Sequence, residues 1–139
     1  MDREVIEQKL ASLQRCVQRV KEALPADVAT LEIDFDKQDI VSLNLSRAVQ
    51  LTVDMGAHLL SQQHSVSPSS MGQTFELLAQ RGLLDPQLAE RLKKSVGFRN
   101  IAVHNYNKIN WAIVHSIVKN HVGDFSEFAR VMAATLLND

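Results

Sequence analysis

The stretch Ile40-Val-Ser-Leu-Asn-Leu-Ser-Arg-Ala-Val-Gln-Leu-Thr-Val-Asp-Met-Gly-Ala-His-Leu-Leu-Ser61 decides the fold class. Its apolar residues, among them Val41, Leu45, Val49, Val53, Met55 and Leu60, fall around most of a helical circumference and not along a single stripe. Such a helix must be covered on more than one side. Its own bundle supplies part of that cover, and a second subunit is expected to supply the rest.

The flanking segments read the same way. Ile6, Leu10, Leu13, Val17, Val20 and Leu24 recur at steps of three and four and end at Pro25, which predicts one amphipathic helix. Between Ala26 and Asp39 the chain is acidic and irregular, so it reads as a connection with helix caps at its far end. Gln62 to Ser70 is a polar loop, Ser70 or a neighbour caps a short helix through Phe75 and Leu78, and Gly82 stops it. Asp85-Pro86 starts a further helix that runs to the region of Val96-Gly97. A break is expected near Asn105 to Asn110, then two more stripes, from Trp111 and after Gly123. Strand-like alternation is scarce, so the expectation is an all-α, up-and-down bundle of about five helices, with residues 1–139 forming a single domain.

With 45% hydrophobic and 22% charged residues, the 139-residue chain can bury a core without disulfides or metal. Its lone Cys16 excludes an intramolecular disulfide and fits a reducing compartment. No charged-then-apolar leader opens the sequence, and no run approaches the ~18 apolar residues of a membrane span. A cytoplasmic location is expected. His58 and His64, like His115 and His121, are spaced by six and not four, so no helical metal pair is expected.

The net charge of -1 conceals a segregation. From Arg91 to Gly123 there is no acidic residue, while Arg91, Lys93, Lys94, Arg99, Lys108 and Lys119 carry six positive charges, leaving -1 minus 6, or -7, for the rest of the chain. Doubled by a dimer axis, that segment would form a cationic cleft suited to nucleic acid, with the acidic connection facing elsewhere.

Within the acid-free run, Phe98-Arg99-Asn100-Ile101-Ala102-Val103-His104-Asn105-Tyr106 gathers a guanidinium, an amide, an imidazole and a phenol. These groups suit RNA cleavage. An imidazole titrates near working pH and can remove a ribose 2′-hydroxyl proton, giving a 2′,3′-cyclic phosphate without metal. A guanidinium can hold phosphate oxygens and offset the charge that develops there. Asn100 can orient either group, and Tyr106 can bond phosphate or stack on a base. The bland alternative is a surface cation, a half-buried histidine and a ring at the edge of the core. Geometry adds a constraint: on an ideal helix Arg99 and His104 lie roughly 140° apart and about 7.5 Å apart in rise. They can meet on one phosphate if Arg99 curls round the helix, if the helix breaks between them, or if two copies pair, and pairing is favoured. Asp54, one turn before His58, could hold Arg99 or His104 in place, or it could belong to a solvent-facing stripe with Arg47 and Gln50.

The string from Arg99 to Tyr106 resembles the Arg-x-x-x-x-His-x-Tyr signature of the HepT-like toxins in the HEPN superfamily of α-helical ribonucleases. The Arg47 to Asp54 run and the Asn110-Trp111-Ala112-Ile113-Val114 opening extend the resemblance over most of the chain. It implies a homodimeric HEPN bundle with metal-independent endoribonuclease activity, Arg99 and His104 as the catalytic pair, and Asn100 as the polar residue that follows the arginine. A further implication is a partner, an MntA-like nucleotidyltransferase antitoxin that uses ATP and Mg2+ to adenylylate Tyr106. An anionic nucleotide beside the cleft would repel RNA. The alternative from another class is a non-catalytic helical adaptor, the substrate-binding subunit of a nucleotidyltransferase.

Overall fold

The computed structural model describes residues 2–64 and 66–137; Met1, Ser65 within the expected polar loop, and Asn138 and Asp139 lie outside them. Seven α-helices follow one another: α1 (Arg3–Ala23), α2 (Val28–Ile33), α3 (Phe35–Gln62), α4 (Met71–Gln80), α5 (Pro86–His104), α6 (Trp111–His121) and α7 (Gly123–Leu136). A single 3-10 turn, Tyr106–Lys108, separates α5 from α6. The all-α expectation holds, with seven helices in place of about five, and α2 is the one that falls where no helix is read from the sequence.

Side-chain caps place most of the boundaries. Asp2, Asp27, Asp34, Ser70, Asp85 and Asn110 each accept backbone N–H bonds from the first turn they precede, and Pro86 takes the opening position of α5. Two of these caps revise the acidic segment. Asp27 starts the short helix α2, and Asp34 starts α3 at Phe35, so residues 26–39 are mostly helical and not an irregular connection. The far boundary of α5 also moves, because the helix continues past Val96-Gly97 to His104. A glycine inside a helix costs about 1 kcal/mol, but buried Val96 and Phe98 anchor the backbone on either side of Gly97. At the end of α4, Gly82 takes φ +71° and turns the chain, as expected.

The long helix α3 is the axis of the bundle and packs against α1, α2, α4, α5 and α7. That contact set explains its apolar girth: Val41, Leu45, Val49, Met55, Leu59 and Leu60 are all buried within one chain. Leu43 of the same helix stays 51% exposed, so the chain's own bundle covers most but not all of that girth. Gly56 lets α4 approach closely, since a Cβ there would lie 2.9 Å from the Thr74 methyl and 3.0 Å from Leu78 Cδ1. Phe75 of α4 meets Phe128 of α7 edge to face, with ring centroids 6.1 Å apart. Cys16 is buried in the same core, and burial raises its thiol pKa. No helix of the described residues is long and apolar enough to cross a membrane.

Candidate active site and the adjoining tyrosine

The last turns of α5 carry Arg99, Asn100 and His104. The helix is unbroken between the arginine and the histidine, which removes one of the three ways of bringing them to a single phosphate. Arg99 is half-buried and donates from Nη1 to Asn100 Oδ1 at 3.4 Å, a long bond between neighbours. His104 is exposed and forms no hydrogen bond or ion pair among the described residues. Asn100 therefore contacts the arginine directly, while the exposed imidazole has no fixed partner among the described residues.

The helix ends at Asn105, whose backbone (φ -154°, ψ 59°) leaves the helical region after its N–H donates to the Ile101 carbonyl at 2.8 Å. Tyr106 follows in the 3-10 turn, closed by Ile109 N–H donating to its carbonyl at 3.1 Å. Buried Ile109 pins that turn to the core. The Tyr106 ring lies edge-on to Trp111, centroids 5.9 Å apart, so Trp111 packs against the motif. Its hydroxyl donates to Asp39 Oδ1 at 2.6 Å. Burial, then the Asp39 hydrogen bond and charge, push this phenol well above its ordinary pKa.

No signal in the sequence singles out Asp39. It sits in the acidic segment, 67 residues from Tyr106, and no local spacing connects the two. Only the placement of the α3 start at Phe35 reveals that it stands on the first turns of a helix, facing the motif. The acidic segment thus meets the cationic one here. Asp54, the carboxylate that the sequence does single out, goes elsewhere: it accepts from Gln50 Nε2 at 2.8 Å and pairs with Lys9 of α1 at 3.5 Å. Its expected support of Arg99 or His104 is not made within the chain, because α1 supplies a closer cation.

The cationic run is also less available than its count suggests. Arg91 is paired in two-pronged fashion with Asp124, at 3.0 and 3.2 Å, and Lys93 pairs with Glu76. His115 is buried, with Nε2 2.8 Å from the Pro25 carbonyl, and ties α6 to the end of α1. Lys94, Lys108 and Lys119 have no carboxylate partner among the described residues. Between α5 and α6 runs an open groove of about 630 Å³, floored by Phe98, Ile101, Ile113 and Ile117 and flanked by Lys94 and Lys108. Neither Arg99 nor His104 lines it. Val103 and Ile113 are exposed by 53% and 57%, so the surface around the motif keeps apolar area that a single chain does not cover. No group of three His, Cys, Asp or Glu side chains placed to hold a metal ion occurs among the described residues.

Comparison with known proteins places this architecture. The mRNA nuclease HepT of Shewanella oneidensis is 39% identical over 131 residues, 94% of this chain and 98% of that protein. A tRNA nuclease HepT from Aphanizomenon flos-aquae is 27% identical over 106 residues, 76% of this chain and 72% of its own length. The solved structure of the tri-AMPylated Shewanella oneidensis HEPN toxin in complex with MNT antitoxin superposes with a TM-score of 0.87 at 39% identity, covering 96% of this chain and 99% of that one. Residues 13–132, which hold the motif and every helix that positions it, match the family described as Ribonuclease HepT-like, and the chain belongs to that family.

Proposed function

We propose that this protein is the toxin of a two-component toxin–antitoxin system, a metal-independent endoribonuclease that works as a homodimer in the cytoplasm and is silenced by adenylylation of Tyr106. Residues 1–139 act in this reading as one HEPN domain. The carrying observation is the motif from Arg99 to Tyr106 at the open end of α5, in a chain of the HepT-like family.

In the reaction, His104 accepts the ribose 2′-hydroxyl proton while the 2′-oxygen attacks phosphorus. The bond to the 5′-oxygen breaks, and a proton returns to that oxygen, leaving a 2′,3′-cyclic phosphate. Arg99, steadied by Asn100, holds the non-bridging oxygens and offsets their growing charge. The unbroken helix sets the two groups on different faces, which favours a composite site with Arg99 from one protomer and His104 from its partner. Exposed Val103, between them on the same helix, supports an apolar contact at that axis. ATP and Mg2+ enter only through the nucleotidyltransferase antitoxin, of which Tyr106 is the target.

The test is RNA cleavage by the purified, unmodified protein in EDTA. Cleavage that persists in EDTA and falls by about 10² or more in His104→Ala is the expected result. Undiminished cleavage by His104→Ala refutes the assigned base, and loss in EDTA refutes metal independence. Tight RNA binding with no cleavage product would instead favour the adaptor.

A further inference from the structure

Tyr106 is the part of the motif that the chain itself immobilises. Trp111 fixes one edge of the ring, and Asp39 Oδ1 accepts a hydrogen bond from the hydroxyl at 2.6 Å. We propose that Asp39 is the proton acceptor for adenylylation of Tyr106. The inference rests on the reading of Tyr106 as the modified residue.

The step balances as follows. Tyr106 Oη attacks the α-phosphorus of a nucleoside triphosphate carried by the antitoxin, and the Oη–Pα bond forms. The bond from Pα to the bridging oxygen breaks, and pyrophosphate leaves. The hydroxyl proton moves to Asp39 Oδ1 and from there to water. A phenol held protonated by burial and by a neighbouring carboxylate is a poor nucleophile unless its proton leaves during the attack. The carboxylate already in contact lies within the distance at which a general base acts.

The same contact gives the product its direction. Once Oη carries AMP it has no hydrogen to donate, and a phosphodiester anion replaces the proton beside Asp39. Attraction becomes repulsion, so the nucleotide is driven off α3 toward the cationic end of α5. Asp39 thus serves the installation of the blocking group and its aim.

Only the first AMP unit depends on Asp39. A phenol oxygen can be esterified once, so any later unit on this tyrosine must join the nucleotide already attached. The experiment follows the intact mass of the toxin in complex with its antitoxin, ATP and Mg2+, for the natural chain, Asp39→Asn, Asp39→Ala and Tyr106→Phe. Asp39→Asn keeps an acceptor oxygen but loses the base, and its first addition slows by about 10²-fold or more. Its deficit relative to the natural chain shrinks by roughly tenfold per pH unit between pH 7 and 9, because ionised phenol then replaces the base while a carboxylate keeps its charge over that range. Later additions keep their rate, so chains that start are carried to full length. Tyr106 is the single tyrosine of this protein, so biosynthetic replacement by difluorotyrosine, a more acidic phenol, alters only this hydroxyl and restores modification in Asp39→Asn. That rescue also excludes misfolding as the cause of the loss.

Wild-type modification of Asp39→Asn, with or without loss in Asp39→Ala, overturns the proton-acceptor role and leaves Asp39 a clamp at most. A deficit in Asp39→Asn that difluorotyrosine and alkaline pH do not relieve overturns it too. If Tyr106→Phe is modified like the natural chain, or neither is modified, the target assignment itself fails and the inference falls with it.

Discussion

Arg99 and His104 lie on the last turns of α5 and Tyr106 in the 3-10 turn that follows, and the chain holds these two parts of the motif differently. Arg99 makes one long bond to its neighbour and His104 none among the described residues, whereas Tyr106 is held by Asp39 and Trp111 from two other helices. Under the proposed roles, the difference follows from what each part must meet. A cleavage site completed by RNA and by a second copy gains nothing from internal partners, which would compete with phosphate for the same donors. A nucleophile offered to another enzyme needs one oxygen at a fixed place.

The largest expected effect tests whether the nuclease end is incomplete in one chain. Arg99→Ala and His104→Ala, each alone, lower cleavage by about 10² or more. If the site takes Arg99 from one protomer and His104 from its partner, mixing and re-annealing the two dead variants restores activity. Half of the dimers are then mixed and one of their two sites is intact, so about a quarter of the natural rate returns. Cleavage measured before and after subunit exchange decides it: no recovery places both groups in one chain, with Arg99 curling round α5.

A smaller effect separates the cations that the sequence counts together. Lys94 and Lys108 have no carboxylate partner among the described residues, while Arg91 and Lys93 are neutralised by Asp124 and Glu76. Lys108→Ala is expected to weaken RNA binding several-fold and to reduce the slope of log K against log salt by about 0.7, one single-strand phosphate contact. Lys93→Ala leaves that slope unchanged. Equal slopes for the two variants would return all six charges to the cleft.

Most of the fold is legible in the sequence because its signals are local. Caps such as Ser70 and Asp85 and the stripes of α1 and α7 act within a turn or two, and the structure keeps them. The errors arise where a distant element decides. The interior Gly97 suggests an end that buried neighbours override, and acidic residues 27 and 34 look like loop chemistry while they are caps for helices hidden in the same segment. The candidate site divides the same way. Arg99, Asn100, His104 and Tyr106 are contiguous and can be read by eye, but the partner of Tyr106 comes from a contact across 67 residues that no periodicity encodes.

Asp54 and Asp39, both on α3, show that the conspicuous carboxylate need not be the one that meets the motif. Asp54 is noticeable because it interrupts an apolar helix, yet its carboxylate is engaged by Lys9 and Gln50, while Asp39 is inconspicuous among other acids and touches the one phenol. Asp54→Asn should therefore be the mildest variant. A half-exposed pair at 3.5 Å contributes on the order of 0.2–1 kcal/mol, which lowers the thermal midpoint by a few degrees at most, and it shares no atom with either chemistry. Cleavage and adenylylation by this variant are expected to stay within about twofold of the natural chain, a margin smaller than half a kcal/mol. A tenfold loss of cleavage at unchanged melting temperature would mean that Asp54 reaches Arg99 or His104 of the partner subunit across the dimer. That outcome would move the nuclease end of the motif from an open site to one braced in trans.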